Sequence, residues 1–174
     1  MSKVITFSRV FPSYHPKAGQ PTYFVEQIYN SIYRDKSGDW SDALGDASNY
    51  VLELDHTILG RKHHTIRNGN RWKVGDKFSP RVWNGKPYAS KQIIIAEDLE
   101  VKQIFDFEIK IVEVDGGFAS KAFLNDKRVS PDFLMEIAEN DGLLLEDFLA
   151  WFQFPKSFKG QVICWSDAVS YGFR

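Results

Sequence analysis

Cysteine is almost missing from this chain: Cys164 is the single one in 174 residues. One thiol excludes an intrachain disulfide framework. Its setting in the apolar run QVICW points to a buried, inert side chain. No apolar run nears the roughly 20 residues that a membrane-spanning helix requires, and the opening MSKVITF lacks the apolar core of a secretory signal. These features lead us to expect a cytoplasmic protein without a membrane partner. A large net charge is lacking too: 22 Lys and Arg face 23 Asp and Glu, for a formal −1, so the whole molecule is no polycation made to coat bulk polyanions. Histidines are few. His63 and His64 are neighbours that face opposite ways on a strand, and His15 and His56 are distant in sequence. With no second cysteine either, we expect no metal site and no cofactor. Internal repeats and low-complexity linkers are absent, so one domain over 1–174 is the simplest organisation.

What is present is an ordinary apolar content of 43%, enough for a real core, and aromatics at 15%. Aromatic rings pack cores and also stack on bases. Charge is unevenly distributed. Between Arg61 and Lys91 the lysines and arginines are opposed by Asp76 alone, while acids outnumber bases from Gln92 to Phe154. A local basic segment on a near-neutral molecule can hold an anion, although such a run is also what a plain solvated face looks like.

Strand signals come first in Val4–Arg9. A Pro/Gly-rich loop follows, and then a helix over Tyr23–Arg34, capped by Thr22, with Phe24, Val25, Ile28 and Ile32 at helical spacing. Asp35–Ser48 is polar and reads as an excursion. A weaker helical pattern runs to Leu59, with Gly60 as its stop. Strands are then expected at His64–Asn68, Lys77–Trp83, Gln92–Ala96, Glu100–Val114 (long and bent), Phe118–Leu124 and Gln161–Trp165, with Asn84-Gly85 as a hairpin signal. Ser130-Pro131 opens a helix, Asn140-Asp141-Gly142 interrupts it, and a second short helical stripe runs from Leu145 to Phe152. The fold class is α+β: a mixed β-barrel with flanking helices.

The chemistry gathers in RKHHTIR. On a strand Thr65 and Arg67 share a face, and Lys62 at the strand entry can fold over it. A threonine hydroxyl attacks a carbonyl only if a base takes its proton. A lysine serves as that base only when desolvation or nearby cations lower its pKa. A carboxylate is then needed to orient the amine or to shuttle a proton to the leaving group, and Asp141 is one candidate. The same residues also fit a grip on phosphate or base, or a solvated strand entry. Arg61, Arg67, His63 and Trp72 are the candidate ligand-binding residues. Trp72 and Trp83 can each stack on a base, or pack in the core or at a rim. Tyr14, His15 and Tyr23 are candidates for a cleft mouth.

The order ITF (Ile5–Phe7), Gly60-x-Lys62-x-x-Thr65-x-Arg67, Gly75-Asp76, a bent run of strands, a helix pair and a closing QVICW strand resembles the ASCH family, a branch of the PUA-like folds. The resemblance spans nearly the whole chain, with Pro12–Asn49 as an insertion beyond the small members. It implies a PUA-like barrel that binds a nucleoside, a modified base or RNA. In the branch of small amidohydrolases it implies removal of the acetyl group from 4-N-acetylcytidine. There a threonine nucleophile, a lysine and a glutamate do the work, and these map to Thr65, Lys62 and Asp141, the last one methylene short and with Glu139 as its neighbour. A non-catalytic RNA or modified-base binding module is the alternative. The insertion is a candidate contact for a protein partner.

Overall fold

The computed structural model describes residues 2–33, 60–153 and 156–172. The polar excursion Asp35–Ser48, the part of the expected insertion from 34 to 49, and the weak helix before Gly60 lie outside these. Nine strands and three helices are found among the described residues, in the order β1 (Lys3–Phe7), α1 (Phe24–Tyr33), β2 (His64–Asn68), β3 (Lys77–Trp83), β4 (Gln92–Ile94), β5 (Leu99–Glu100), β6 (Gln103–Val114), β7 (Gly117–Leu124), β8 (Lys127–Arg128), α2 (Pro131–Asn140), α3 (Leu145–Trp151) and β9 (Phe158–Cys164). No helix among them is long and apolar enough to cross a membrane.

The strands make two sheets. In the first, β1 runs parallel to β3 with Lys3 opposite Phe78 and Phe7 opposite Val82. The other edge of β3 takes β4 and β5, both antiparallel. The second sheet has the order β2-β9-β6-β7-β8, antiparallel throughout. The long strand expected over Glu100–Val114 divides at Val101-Lys102 and changes sheets there: Leu99–Glu100 pairs with β3, while Gln103 onward pairs with β9. The break is fixed by hydrogen bonds, since the Val101 N–H donates to the Asp76 carbonyl and Lys102 N–H to that of Cys164.

The expected closed barrel is corrected here. Among the described residues no ladder joins β1, the edge of the first sheet, to β2, the edge of the second. A side chain spans that gap instead, with Arg67 Nη2 donating to the Thr6 carbonyl at 2.8 Å. A ladder would place the two backbones about 4.8 Å apart and leave no room between them. The open seam is where the cavity described below sits.

Helix α1 is more deeply set than its pattern implies. Phe24, Val25 and Ile28 enter the core as the spacing predicts and Ile32 packs against it partly buried, but Tyr29, Glu26, Gln27 and Asn30 are buried as well. The segment 60–63 covers that second face: Lys62 N–H donates to the Gln27 carbonyl, and Asn30 Nδ2 to that of Gly60. The Pro-rich loop before α1 is likewise tied down. Val10 bridges Pro21, His15 stacks on Phe11, and Lys17 pairs with Asp147 of α3 at 2.6 Å. The Asn84-Gly85 pair does not make a two-residue hairpin. Trp83 pairs with Gln92, and the wider loop between them is closed by Asn84 N–H on the Lys91 carbonyl and Gly85 N–H on Ser90 Oγ.

Candidate functional site

Two local structures bring the central pair together. The first is the end of α2. Gly142 has a positive φ of 82°, its N–H bonds the Glu139 carbonyl, and Leu143 N–H reaches back to that of Ala138. This is the Schellman ending, in which the left-handed residue lets the chain reverse and satisfies the last carbonyls. Asn140-Asp141-Gly142 thus ends the helix and presents Asp141 inward from its cap. A side chain at position 142 would also overlap Gln27. The second is the strand entry 61–63, pinned from both sides: Lys62 N–H on Gln27 of α1, and His63 N–H on the Asn140 carbonyl at 2.8 Å. A lysine in that segment has its stem inside the protein.

Lys62 is accordingly 1% exposed. Its Nζ donates to Asp141 Oδ1 at 2.8 Å and to the Asp141 main-chain carbonyl, and it lies 4.1 Å from the centroid of the Phe24 ring. Burial disfavours the ammonium and lowers the Lys62 pKa; Asp141 opposes that shift and Arg67 adds to it. Burial alone would raise the Asp141 carboxyl, but Lys62 and His64 outweigh it and hold it below the usual carboxylate range. A desolvated ion pair of this kind loses several kcal/mol of hydration per ion, returned only where geometry is close and partners are complete.

The pair forms part of the wall of a cavity of about 330 Å³ in the seam between β1 and β2. Thr65 and Arg67 line it from β2, and Thr6, Phe7, Ser8 and Arg9 from β1 and the residues after it. Trp83 contributes from the end of β3 and Tyr88 from the β3–β4 loop, with Phe24 and Trp151 from the helices. The charged lining groups are Arg9, Lys62 and Arg67 against Asp141, so the hollow favours an anionic or electron-rich guest. Its volume is at the small end of the roughly 300–1,000 Å³ typical of ligand pockets. Thr65 is 5% exposed. Arg67 is held by the Thr6 carbonyl and lies over the Phe7 ring, 5.4 Å from its centroid; burial is the main cause of a lowered guanidinium pKa. Tyr88 stands at the rim, 90% exposed, with φ 62° and its ring 5.3 Å from that of Trp83. A left-handed, exposed aromatic residue is an uncommon conformation that its loop must hold in place.

Of the candidate residues, the structure brings Lys62, Thr65, Asp141 and Arg67 to one cavity, and Trp83 with them. It does not bring Arg61, His63 or Trp72 there. Arg61 and His63 line a different depression with Glu139 and Gln27, because alternation along the strand entry turns His63 away from Lys62. Burial lowers the His63 pKa to about 4. Trp72 is 3% exposed and packs edge-on against Phe78 at 5.9 Å, so it is a core ring and offers no stacking face. Glu139 is exposed on that same other depression, which leaves Asp141 as the carboxylate that meets Lys62. Tyr14 and His15 bond α3 through the carbonyls of Trp151 and Asp147, and neither they nor Tyr23 line the cavity. Among the described residues no three His, Cys, Asp or Glu side chains are placed to hold a metal ion.

Sequence reasoning missed the parts of the cavity that arrive from far along the chain. Tyr88 follows the Asn84-Gly85 turn signal and carries none of its own, and Trp151 lies within the Leu145–Phe152 helical stretch without marking itself out. Arg9 ends a strand-like run next to a proline loop and carries no motif at all.

No protein-family model, curated protein or solved structure matches the chain.

Proposed function

We propose that this cavity binds a pyrimidine nucleoside carrying an acylated exocyclic amine, of the 4-N-acetylcytidine type, and hydrolyses its amide. The observation that carries the reading is the buried Lys62 amine, oriented by Asp141, in the same hollow as the Thr65 hydroxyl. The ASCH resemblance of the Lys62-x-x-Thr65-x-Arg67 spacing and the PUA-like order of elements point the same way.

The chemistry runs in two halves. Neutral Lys62 takes the Thr65 hydroxyl proton as Oγ1 attacks the acetyl carbonyl carbon. The carbonyl oxygen becomes an oxyanion beside the new ammonium and the Arg67 guanidinium, cations already in place where charge develops. Collapse breaks the C–N bond, the Lys62 proton goes to the departing amine, and cytidine leaves an acetyl ester on Thr65. Water then attacks that ester, Lys62 taking its proton and returning one to the threonine oxygen. The sum is acetylcytidine plus water to cytidine, acetate and a proton. Asp141 holds the amine in the cavity wall that Thr65 shares, and burial together with Arg67 brings Lys62 nearer the neutral form a base needs. Trp83 and Tyr88 provide the aromatic wall for a planar base.

One observation favours a second reading, a module that binds a modified base or RNA and cleaves nothing. Lys62 donates to both a side-chain and a main-chain oxygen of Asp141, which is how a charged, structural lysine is held. Purified protein given 4-N-acetylcytidine, with cytidine release followed chromatographically, separates the two. Turnover that drops about a thousandfold in Thr65→Ala, with the fold intact by circular dichroism, supports hydrolysis. No turnover, together with salt-dependent RNA binding that Arg67→Ala weakens, supports the binding module. Neither turnover nor binding removes both.

A further inference from the structure

His64 is fully buried and directly precedes Thr65, so on β2 it points to the opposite side of the strand. Its imidazole lies between two partners. Nε2 is 2.7 Å from the Tyr171 hydroxyl, and Nδ1 is 3.5 Å from Asp141 Oδ1, the same oxygen that Lys62 Nζ reaches at 2.8 Å. Tyr171 is in turn 3.1 Å from Asn140 Nδ2, at the end of the helix that Asp141 caps.

Donor and acceptor capacities fix the direction of this chain. The Asn140 amide nitrogen can only donate, so the Tyr171 oxygen accepts there, and its own hydrogen is left for His64 Nε2. A nitrogen that accepts carries no proton, so the imidazole proton sits on Nδ1, facing the Asp141 carboxylate. The reverse tautomer would aim a lone pair at that carboxylate and strand the Tyr171 hydrogen in an apolar setting among Phe105 and Phe133. Burial favours the neutral imidazole throughout.

We propose that Asn140, Tyr171 and His64 are positioning residues: two hydrogen bonds fix the imidazole so that its Nδ1–H faces the Asp141 carboxylate across 3.5 Å, a polar contact longer than a hydrogen bond, which holds that carboxylate against Lys62. The kinetic consequence rests on the hydrolytic reading above; the chain itself does not. The charged and titratable groups around the carboxylate are Lys62 from the strand entry, His64 and Arg67 from β2, Cys164 from β9 and Tyr171 from the C-terminal segment. Of these, Lys62 and His64 touch it. An imidazole N–H facing Oδ1 at 3.5 Å offsets part of its charge, so the amine keeps its proton less tightly than it would beside a bare carboxylate. Weakening the chain raises the Lys62 pKa. It also moves the acidic limb of the hydrolysis profile to higher pH.

The test uses the whole protein and ring-nitrogen and lysine-nitrogen NMR, which need no turnover. In wild type at pH 7, His64 is expected neutral with its proton on Nδ1; a proton on Nε2, or on both, overturns the proposal. Tyr171→Phe keeps the ring and its aromatic neighbours but removes the hydroxyl. It is expected to blur the single His64 tautomer and to move the Lys62 titration up by about half a pH unit or more, a several-fold change in proton affinity. Tyr29→Phe is the control, since its hydroxyl bonds the Ile95 carbonyl elsewhere in the core; both variants shed stability, and only the first is expected to move Lys62. An unchanged Lys62 titration in Tyr171→Phe reduces the chain to packing. Should the protein hydrolyse no acylated nucleoside while the tautomer and titration behave as stated, the hydrolytic reading falls and the chain stands.

Discussion

Replacing Asp141 with asparagine is the sharpest probe of the buried pair. The substitution keeps size and shape and removes one charge, leaving the Lys62 ammonium 1% exposed with a neutral neighbour. At the observed 2.8 Å and an effective dielectric of about 20, the lost attraction is about 6 kcal/mol. The protein need not lose that much, because Lys62 can give up its proton instead. From an ordinary lysine value of 10.5, discarding the proton at pH 7 costs about 5 kcal/mol, at 1.36 kcal/mol per pH unit. That is a ceiling, and it agrees with the 3–5 kcal/mol typical of breaking one side of a buried pair. At pH 9 the ceiling falls to about 2 kcal/mol. The sign follows from proton counts. In the variant the folded Lys62 pKa is pushed far below its unfolded value, so the unfolded chain binds more protons in between, and stability rises with pH across that window. Urea denaturation followed by tryptophan fluorescence at pH 7 and pH 9, wild type beside variant, reads the difference directly. We expect a loss of about 3–5 kcal/mol at pH 7 that shrinks to about 2 kcal/mol at pH 9, with Lys62→Met added to Asp141→Asn recovering most of it. A loss under about 1 kcal/mol at pH 7, or one that is the same at both pH values, would refute the argument that a desolvated charge pair organises this site.

Two further outcomes test the surroundings. His63 has its pKa lowered by burial from 6.5 to about 4, so the unfolded chain takes up a proton first as pH falls; stability should drop by about 3 kcal/mol between those values, and His63→Gln should remove that part of the pH dependence in denaturant titrations. Gly160→Ala places a methyl against the Arg67 carbonyl oxygen and 2.9 Å from Phe158 Cζ; because backbone cannot yield there as a flexible side chain would, we expect a loss of about 3 kcal/mol by thermal or chemical unfolding, and a result near zero would show that β2 and β9 can part.

Much of the architecture was legible along the chain. β2 and β3 have the bounds expected from the sequence, β3 opening after the Gly75-Asp76 turn, and the start of α2 follows from Ser130-Pro131, the Ser130 hydroxyl accepting the Phe133 N–H as its type and position suggest. Thr65 and Arg67 on one face is a consequence of strand periodicity alone. Position-local signals failed where the partner was remote. Asn84-Gly85 reads as a tight hairpin because the dipeptide favours one, yet the strand register puts Gln92 opposite Trp83 and the loop between them must be longer. Trp72 and Trp83 carry the same sequence signal beside the same basic segment, and one is core while the other lines the cavity.

The sequence by itself determined which elements form and which side chains can share a face, because periodicity, caps and turn residues act within a few positions. It also placed a lysine, a threonine and an arginine close enough to cooperate. Tertiary structure alone decided that the sheet stays open between β1 and β2, that the opening is a cavity, and that Lys62 is buried on Asp141 rather than hydrated. Those outcomes depend on residues 79 apart in sequence meeting at the end of one helix, and on the dielectric their meeting creates. No local pattern encodes either.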